Sequence, residues 1–115
     1  MVLGASNRPG RFSFLAMGML YDHGYDVIAV GKKADSSGTF PIQEHIPEEQ
    51  GLYAVTIYLR PENQHIYADA LLRLKPEKVI FNPGTENPEL QRRLRENGIR
   101  VVIACTLVML ETGGF

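Results

Sequence analysis

The sequence has one cysteine, no tryptophan and a formal net charge of −1, and it contains no long apolar run. A single cysteine excludes a disulfide framework within the chain and a structural zinc site built on cysteines. With 12 Lys and Arg against 13 Asp and Glu, there is no excess positive charge to grip nucleic acid non-specifically. No segment approaches the roughly 20 apolar residues of a bilayer-spanning helix, so no membrane contact is expected. The opening Met1-Val2-Leu3-Gly4 lacks the basic stretch and apolar core of a secretory leader, so a cytoplasmic, reducing setting is expected. His23, His45 and His65 are scattered without ligand spacing, and no metal site is expected.

What is present describes one globular unit. The 115 residues are 44% hydrophobic and 22% charged, a mix that buries a core rather than staying disordered. No linker, repeat or low-complexity tract divides the chain, so a single domain is expected over residues 1–115.

Short apolar runs alternate with segments of helical period. Strands are expected at Met1–Ala5, Tyr25–Gly31, Ala54–Leu59, Lys78–Phe81 and Ile99–Ala104. Between them, Arg11–His23 reads as a helix with Phe12, Leu15, Ala16, Met19 and Leu20 as its stripe. A second helix runs from Pro61 to Leu74, carrying Ile66, Ala70 and Leu71. A third starts at Asn87-Pro88 and closes at Asn97-Gly98, and Thr106–Thr112 forms a last short one. Residues 34–50, with Pro41, Pro47 and Ser36-Ser37-Gly38, read as a loop with room for a short edge strand. This alternation predicts an α/β fold: a three-layer Rossmann-like doubly wound parallel sheet of five strands in order 3-2-1-4-5.

Such sheets bind ligands beyond the carboxyl ends of their strands, where the strand order reverses. The loops to inspect are therefore Gly4–Arg11, Gly31–Lys33, Arg60-Pro61 and Asn82–Glu86. In the first, Gly4, Ala5, Ser6 and Asn7 lead from a strand into a helix. Helix N–H groups there suit a phosphate, Arg8 and Arg11 add charge, and Ser13 adds a hydroxyl. A full G-x-G-x-x-G is absent, because Ser6 and Pro9 stand at its second and third glycine positions. The second strand ends Gly31-Lys32-Lys33 instead of in the acid that holds the ribose of NAD. Two lysines suit a phosphate on the ribose, as in the 3′-phosphate of coenzyme A (CoA) or the 2′-phosphate of NADP. Glu86 is read either as a ribose or adenine partner or as an acid favoured by the following helix start. Cys105 reads first as a packing thiol and second as a reactive one before a helix.

With these loops in place, the chain resembles the small stand-alone CoA-binding proteins, which are similar to the CoA-binding domain of the succinyl-CoA synthetase α subunit. Leu3-Gly4-Ala5-Ser6 with Arg11 and Ser13 looks like that family's phosphate loop, and Gly24–Val30 like its second strand. Val55–Leu59 with Arg60, Pro61 and Gln64 matches its third-strand segment. Ile80-Phe81-Asn82-Pro83-Gly84-Thr85-Glu86-Asn87 and Ala104–Leu110 match its two most specific motifs. Members often end the second strand in a Val-Asn-Pro turn, where this chain has Val30-Gly31-Lys32-Lys33. They also carry an extension before strand one, which leaves here either a short first strand or a truncated chain.

The resemblance implies a ligand, CoA or an acyl-CoA, bound without catalysis of the chain's own. Its implied contacts are Gly4, Ala5, Ser6, Asn7, Arg8, Arg11, Ser13, Gly31, Lys32, Lys33, Arg60, Pro61, Gln64, Asn82, Gly84, Thr85 and Glu86. No catalytic residue is assigned, and a protein partner or homodimer is left open. The alternative is an NADP-type dinucleotide-binding oxidoreductase or another small nucleotide-dependent enzyme. Against it, 115 residues leave no room for a substrate domain, and Ser6 has no nameable triad partner.

Overall fold

The computed structural model describes residues 1–48 and 51–115. Glu49 and Gln50, the end of the expected loop 34–50, lie outside the described residues. Six strands form one parallel sheet: β1 (Val2–Leu3), β2 (Ala29–Val30), β3 (Ile42–Gln43), β4 (Ala54–Ile57), β5 (Lys78–Phe81) and β6 (Arg100–Ile103). Their order is β3-β2-β1-β4-β5-β6. The order 3-2-1-4-5 therefore holds, with a sixth strand added.

The extra strand has a consequence for the site. Ile42–Gln43 takes third place at one edge, paired with β2 through Ala29↔Ile42 and Val30↔Gln43. The segment 54–57 is then fourth and lies directly beside β1, with Leu3 opposite Ile57. The reversal point thus falls between the loop after β1 and the loop starting at Tyr58. The turn at Asn82, which follows β5, stands one strand further out.

Among the described residues, four helices cover the sheet: α1 (Phe12–Asp22), α2 (Ala68–Leu74), α3 (Pro88–Glu96) and α4 (Thr106–Thr112). Successive strand residues point to opposite faces, and the two buried clusters follow that alternation. Leu3, Val55, Ile57, Val79 and Phe81 pack with Leu71, Leu74, Leu90 and Leu94 of α2 and α3. Val2 and Ala29 pack on the other face with Met17 and Leu20 of α1 and Leu110 of α4. Each such large side chain contributes about 1.5–3 kcal/mol on full burial. The result is the three-layer arrangement expected.

Two helical expectations are corrected. The buried face of α1 is Ser13, Ala16, Met17 and Leu20, whereas Phe12 is 68% and Leu15 45% exposed. The helix is apolar on nearly every side, so its period does not reveal which stripe turns inward. The segment after Pro61 begins as two 3₁₀ turns, Pro61–Asn63 and His65–Tyr67, before α2. That tighter winding leaves Ile66 exposed instead of on the core stripe.

Candidate functional site

The loop after β1 sits at the centre of the carboxyl end and touches its neighbours on both sides. Gly4 has φ +93°, and a Cβ there would lie 3.0 Å from Leu59 Cγ and from the Tyr58 carbonyl carbon. Gly31, after β2, leaves no room either: a Cβ would be 2.7 Å from the Ala5 carbonyl oxygen. Both glycines are thus fixed by close approach of backbone. The N–H groups of Gly4 and Ala5 both donate to the Val30 carbonyl, at 2.8 and 2.9 Å. They pin the loop to β2 and are not open to a ligand, so Gly4 and Ala5 contribute shape.

The open donors come next in the chain. Ser6 Oγ accepts the Arg8 N–H at 3.1 Å, bending the loop. The N–H groups of Ser6, Asn7, Phe12, Ser13 and Phe14 have no partner among the described residues. The start of α1 has no side-chain cap and no acid in its first turn. By contrast, α3 is capped by Asn87, whose side chain accepts the Leu90 N–H, and carries Glu89 in its first turn. Arg8 and Arg11 are exposed beside the open turn, while Ser13 is buried. An uncapped helix start with flanking guanidiniums and no acid in its first turn has the chemistry that suits an anion.

The loop after β2 folds onto this one. The Asn7 side chain occupies the space beside Gly38, where any Cβ would collide with it. Asp35 accepts Ser37 N and Ser37 Oγ at 2.9 and 2.6 Å. The Ser37 hydroxyl foremost, then its N–H and Asn7, hold the Asp35 carboxyl down at about 2. Lys32 and Lys33 are both exposed. Lys32 lines a separate groove of about 520 Å³ with His45, Ile46, Ile66, Tyr67 and Arg73.

Gln64, Asn82 and Thr85 hold the crevice walls together. Gln64 is fully buried, and its Nε2 donates to Leu59 O at 2.9 Å and Thr85 O at 2.7 Å. Its Oε1 accepts from Asn87 Nδ2 at 3.0 Å, so the loops after β4 and β5 are tied through one side chain. Asn82 Nδ2 donates to Thr56 Oγ1 at 2.7 Å and Ile57 O at 2.9 Å, while its Oδ1 accepts the Thr106 N–H at 2.8 Å. Thr85 is buried on Asn82 O. Glu86 is exposed and accepts the Gly84 N–H at 2.8 Å, which closes the turn. Arg60 is exposed and Pro61 half-buried at the mouth of the first 3₁₀ turn.

Sequence reasoning missed an apolar cavity of about 190 Å³, lined by Phe12, Tyr58, Asn82, Pro83, Cys105 and Leu107. Cys105 is half-buried on its wall, not sealed in the core. The one signal was a large apolar residue, Phe12, directly after the arginine that opens the helix.

The fold is a doubly wound Rossmann-like domain with the uncapped first turn of α1 at its reversal point. The family model described as a CoA binding domain matches residues 1–111, and the chain belongs to that family. Association with CoA in general is thus a property of its family. A crystal structure of an uncharacterized protein is similar at 46% identity and a TM-score of 0.94, covering 99% of this chain and 94% of that one. A Thermus thermophilus protein, cell-free ID.343, shares the fold at 24% identity and a TM-score of 0.85, covering 99% and 87%. A hypothetical protein from Pyrococcus horikoshii OT3 does so at 24% and 0.86, covering 96% and 80%. No curated protein matches the chain significantly. Among the described residues, no helix is long and apolar enough to cross a membrane.

Proposed function

We propose that this chain is a cytoplasmic binding module for CoA or an acyl-CoA, and that it acts without catalysis of its own. The uncapped start of α1 carries the reading: the open N–H groups of Ser6, Asn7, Phe12, Ser13 and Phe14 beside Arg8 and Arg11 suit the pyrophosphate. Gly4 and Ala5 shape the loop, and Lys32 or Lys33 pairs with the 3′-phosphate. Arg60, Pro61, Gly84 and Glu86 border the nucleotide. Gln64, Asn82 and Thr85 act as positioning residues, their side chains already committed to the walls. A binding role is favoured over the dinucleotide oxidoreductase because these polar groups hold loops in place instead of facing the crevice.

Thermal unfolding with CoA, NADP, NAD and ATP tests this. A ligand that binds the folded state alone raises stability by RT ln(1 + [L]/Kd). A shift with CoA well above that with NADP is expected. A shift with NADP or NAD and none with CoA overturns the reading.

A further inference from the structure

The cavity bounded by Phe12, Tyr58, Asn82, Pro83, Cys105 and Leu107 lies between the first turns of α1 and α4, across the ends of β4 and β5. Its walls offer almost no hydrogen bond. The Asn82 amide is fully committed to Thr56, Ile57 and Thr106. The Tyr58 hydroxyl is itself buried beyond reach of a water-sized group, so the cavity meets the tyrosine ring and not its oxygen. Among the lining side chains, the Cys105 sulfur, a weak partner at best, is what remains.

Phe12 joins this space to the anion site. Its N–H is one of the open donors of the first turn, and its ring, 68% exposed, stands at the cavity. A ligand whose phosphates rest on that turn therefore has an apolar recess beside it. The amides of a pantetheine arm would lose water there with no side-chain partner to gain, at a cost of about 1–3 kcal/mol each. An alkyl chain has no such loss and would cover the exposed Phe12 ring. At about 190 Å³ the recess holds about six water-sized groups, taking roughly 30 Å³ apiece.

We propose that this cavity takes the acyl chain of a short- to medium-chain acyl thioester of CoA, so that the physiological ligand is acylated. The proposal rests on the CoA reading above, and it assigns Phe12, Tyr58, Pro83, Cys105 and Leu107 to acyl recognition.

Calorimetric titration of the whole chain with CoA and with acetyl-, butanoyl-, hexanoyl-, octanoyl- and dodecanoyl-CoA tests it. Affinity should rise about fourfold per methylene from acetyl to hexanoyl, the gain for a buried CH₂, then level off by octanoyl. Leu107→Phe and Cys105→Ile, which fill the recess, should flatten that rise and leave CoA itself unchanged. Where neither variant folds, as read by circular dichroism, the wild-type series decides alone. Equal affinity across the series overturns the acyl proposal and leaves the CoA reading standing. An unbroken rise to dodecanoyl overturns it too, because it marks unspecific apolar adhesion. Absence of binding by every CoA species overturns both.

Discussion

Asn82 accepts the backbone N–H of Thr106 at 2.8 Å, so the residue that follows β5 also holds the start of α4. The same side chain donates to Thr56 Oγ1, which is bonded to Thr106 Oγ1 at 2.7 Å. Three elements thus meet in one buried polar network at the crevice. Buried networks of this kind fix geometry when every member is satisfied and destabilise when one is removed.

Asn82→Ala strands Thr106 N–H and the Ile57 carbonyl in the interior. Each orphaned group costs about 1–3 kcal/mol. Urea denaturation should show a loss of about 2–4 kcal/mol. Asn82→Asp should also destabilise, because a carboxylate faces the Ile57 carbonyl where an amide N–H₂ had donated. A loss below about 1 kcal/mol in both variants would show that the network is dispensable.

The pattern of strands and helices was legible because apolar runs such as Val79-Ile80-Phe81 and glycine or proline boundaries are local signals. The short edge strand expected within residues 34–50 is present, but its place at Ile42–Gln43 was not legible, because two residues between proline and polar neighbours make no pattern; pairing with β2 defines it. The loop after β1 was legible as a candidate site from Gly4 and its arginines. Its free N–H groups were not, since which remain free depends on Val30 accepting those of Gly4 and Ala5. Gln64 and Asn82 read as ligand contacts because a polar residue beyond a strand end looks the same whether it faces solvent or a wall.

Lys78 is buried at the amino end of β5, with its ammonium 4.5 Å from the Tyr53 ring centroid and 4.7 Å from that of Phe115. It donates to Tyr53 Oη at 3.1 Å and to the Phe115 carbonyl. Lys78→Met removes the donor to the Tyr53 hydroxyl and to the Phe115 oxygen, so it should destabilise by about 1–3 kcal/mol. Phe115→Ala should cost about 1–2 kcal/mol in the wild type and less in the Lys78→Met background. A denaturation double-mutant cycle reads the coupling, and a coupling of zero would show that the rings only pack.

Burial pushes the Tyr58 hydroxyl up to about 12, the Thr106 and Thr56 hydroxyls oppose that slightly, and Cys105 adds to it. The neutral phenol is thus favoured by folding. Its stabilising effect is complete below the unfolded value near 10 and is lost as pH rises through about 12. Wild type should therefore lose stability relative to Tyr58→Phe between those pH values. Difference absorbance titration of the two proteins should show one phenol ionising near 12 when folded and near 10 in denaturant. Ionisation near 10 in the folded protein would mean that the hydroxyl reaches water.

Lys32→Ala combined with Lys33→Ala should weaken CoA more than dephospho-CoA, which lacks the 3′-phosphate. Both side chains are exposed, so each contact is worth about 0–1 kcal/mol and the discrimination should be at most about thirtyfold. It should shrink as salt is raised. Equal binding of the two ligands by wild type would mean that neither lysine reads the phosphate.

Cys105 offers a direct test of whether ligand enters the recess between α1 and α4. Its thiol is half-buried on the wall beside Phe12 and Leu107. It should therefore react with a small aromatic disulfide while the protein is folded, at a rate well above that of global unfolding. Saturating octanoyl-CoA should slow the labelling at least tenfold, because the acyl chain would fill the space the reagent must cross. CoA at equal saturation should slow it much less, since its phosphates bind beyond Phe12 and leave the recess open. Equal protection by both ligands would mean that the pantetheine arm, and not the acyl chain, lies against Cys105. Labelling at the unfolding rate with no ligand present would mean that the recess is closed in solution.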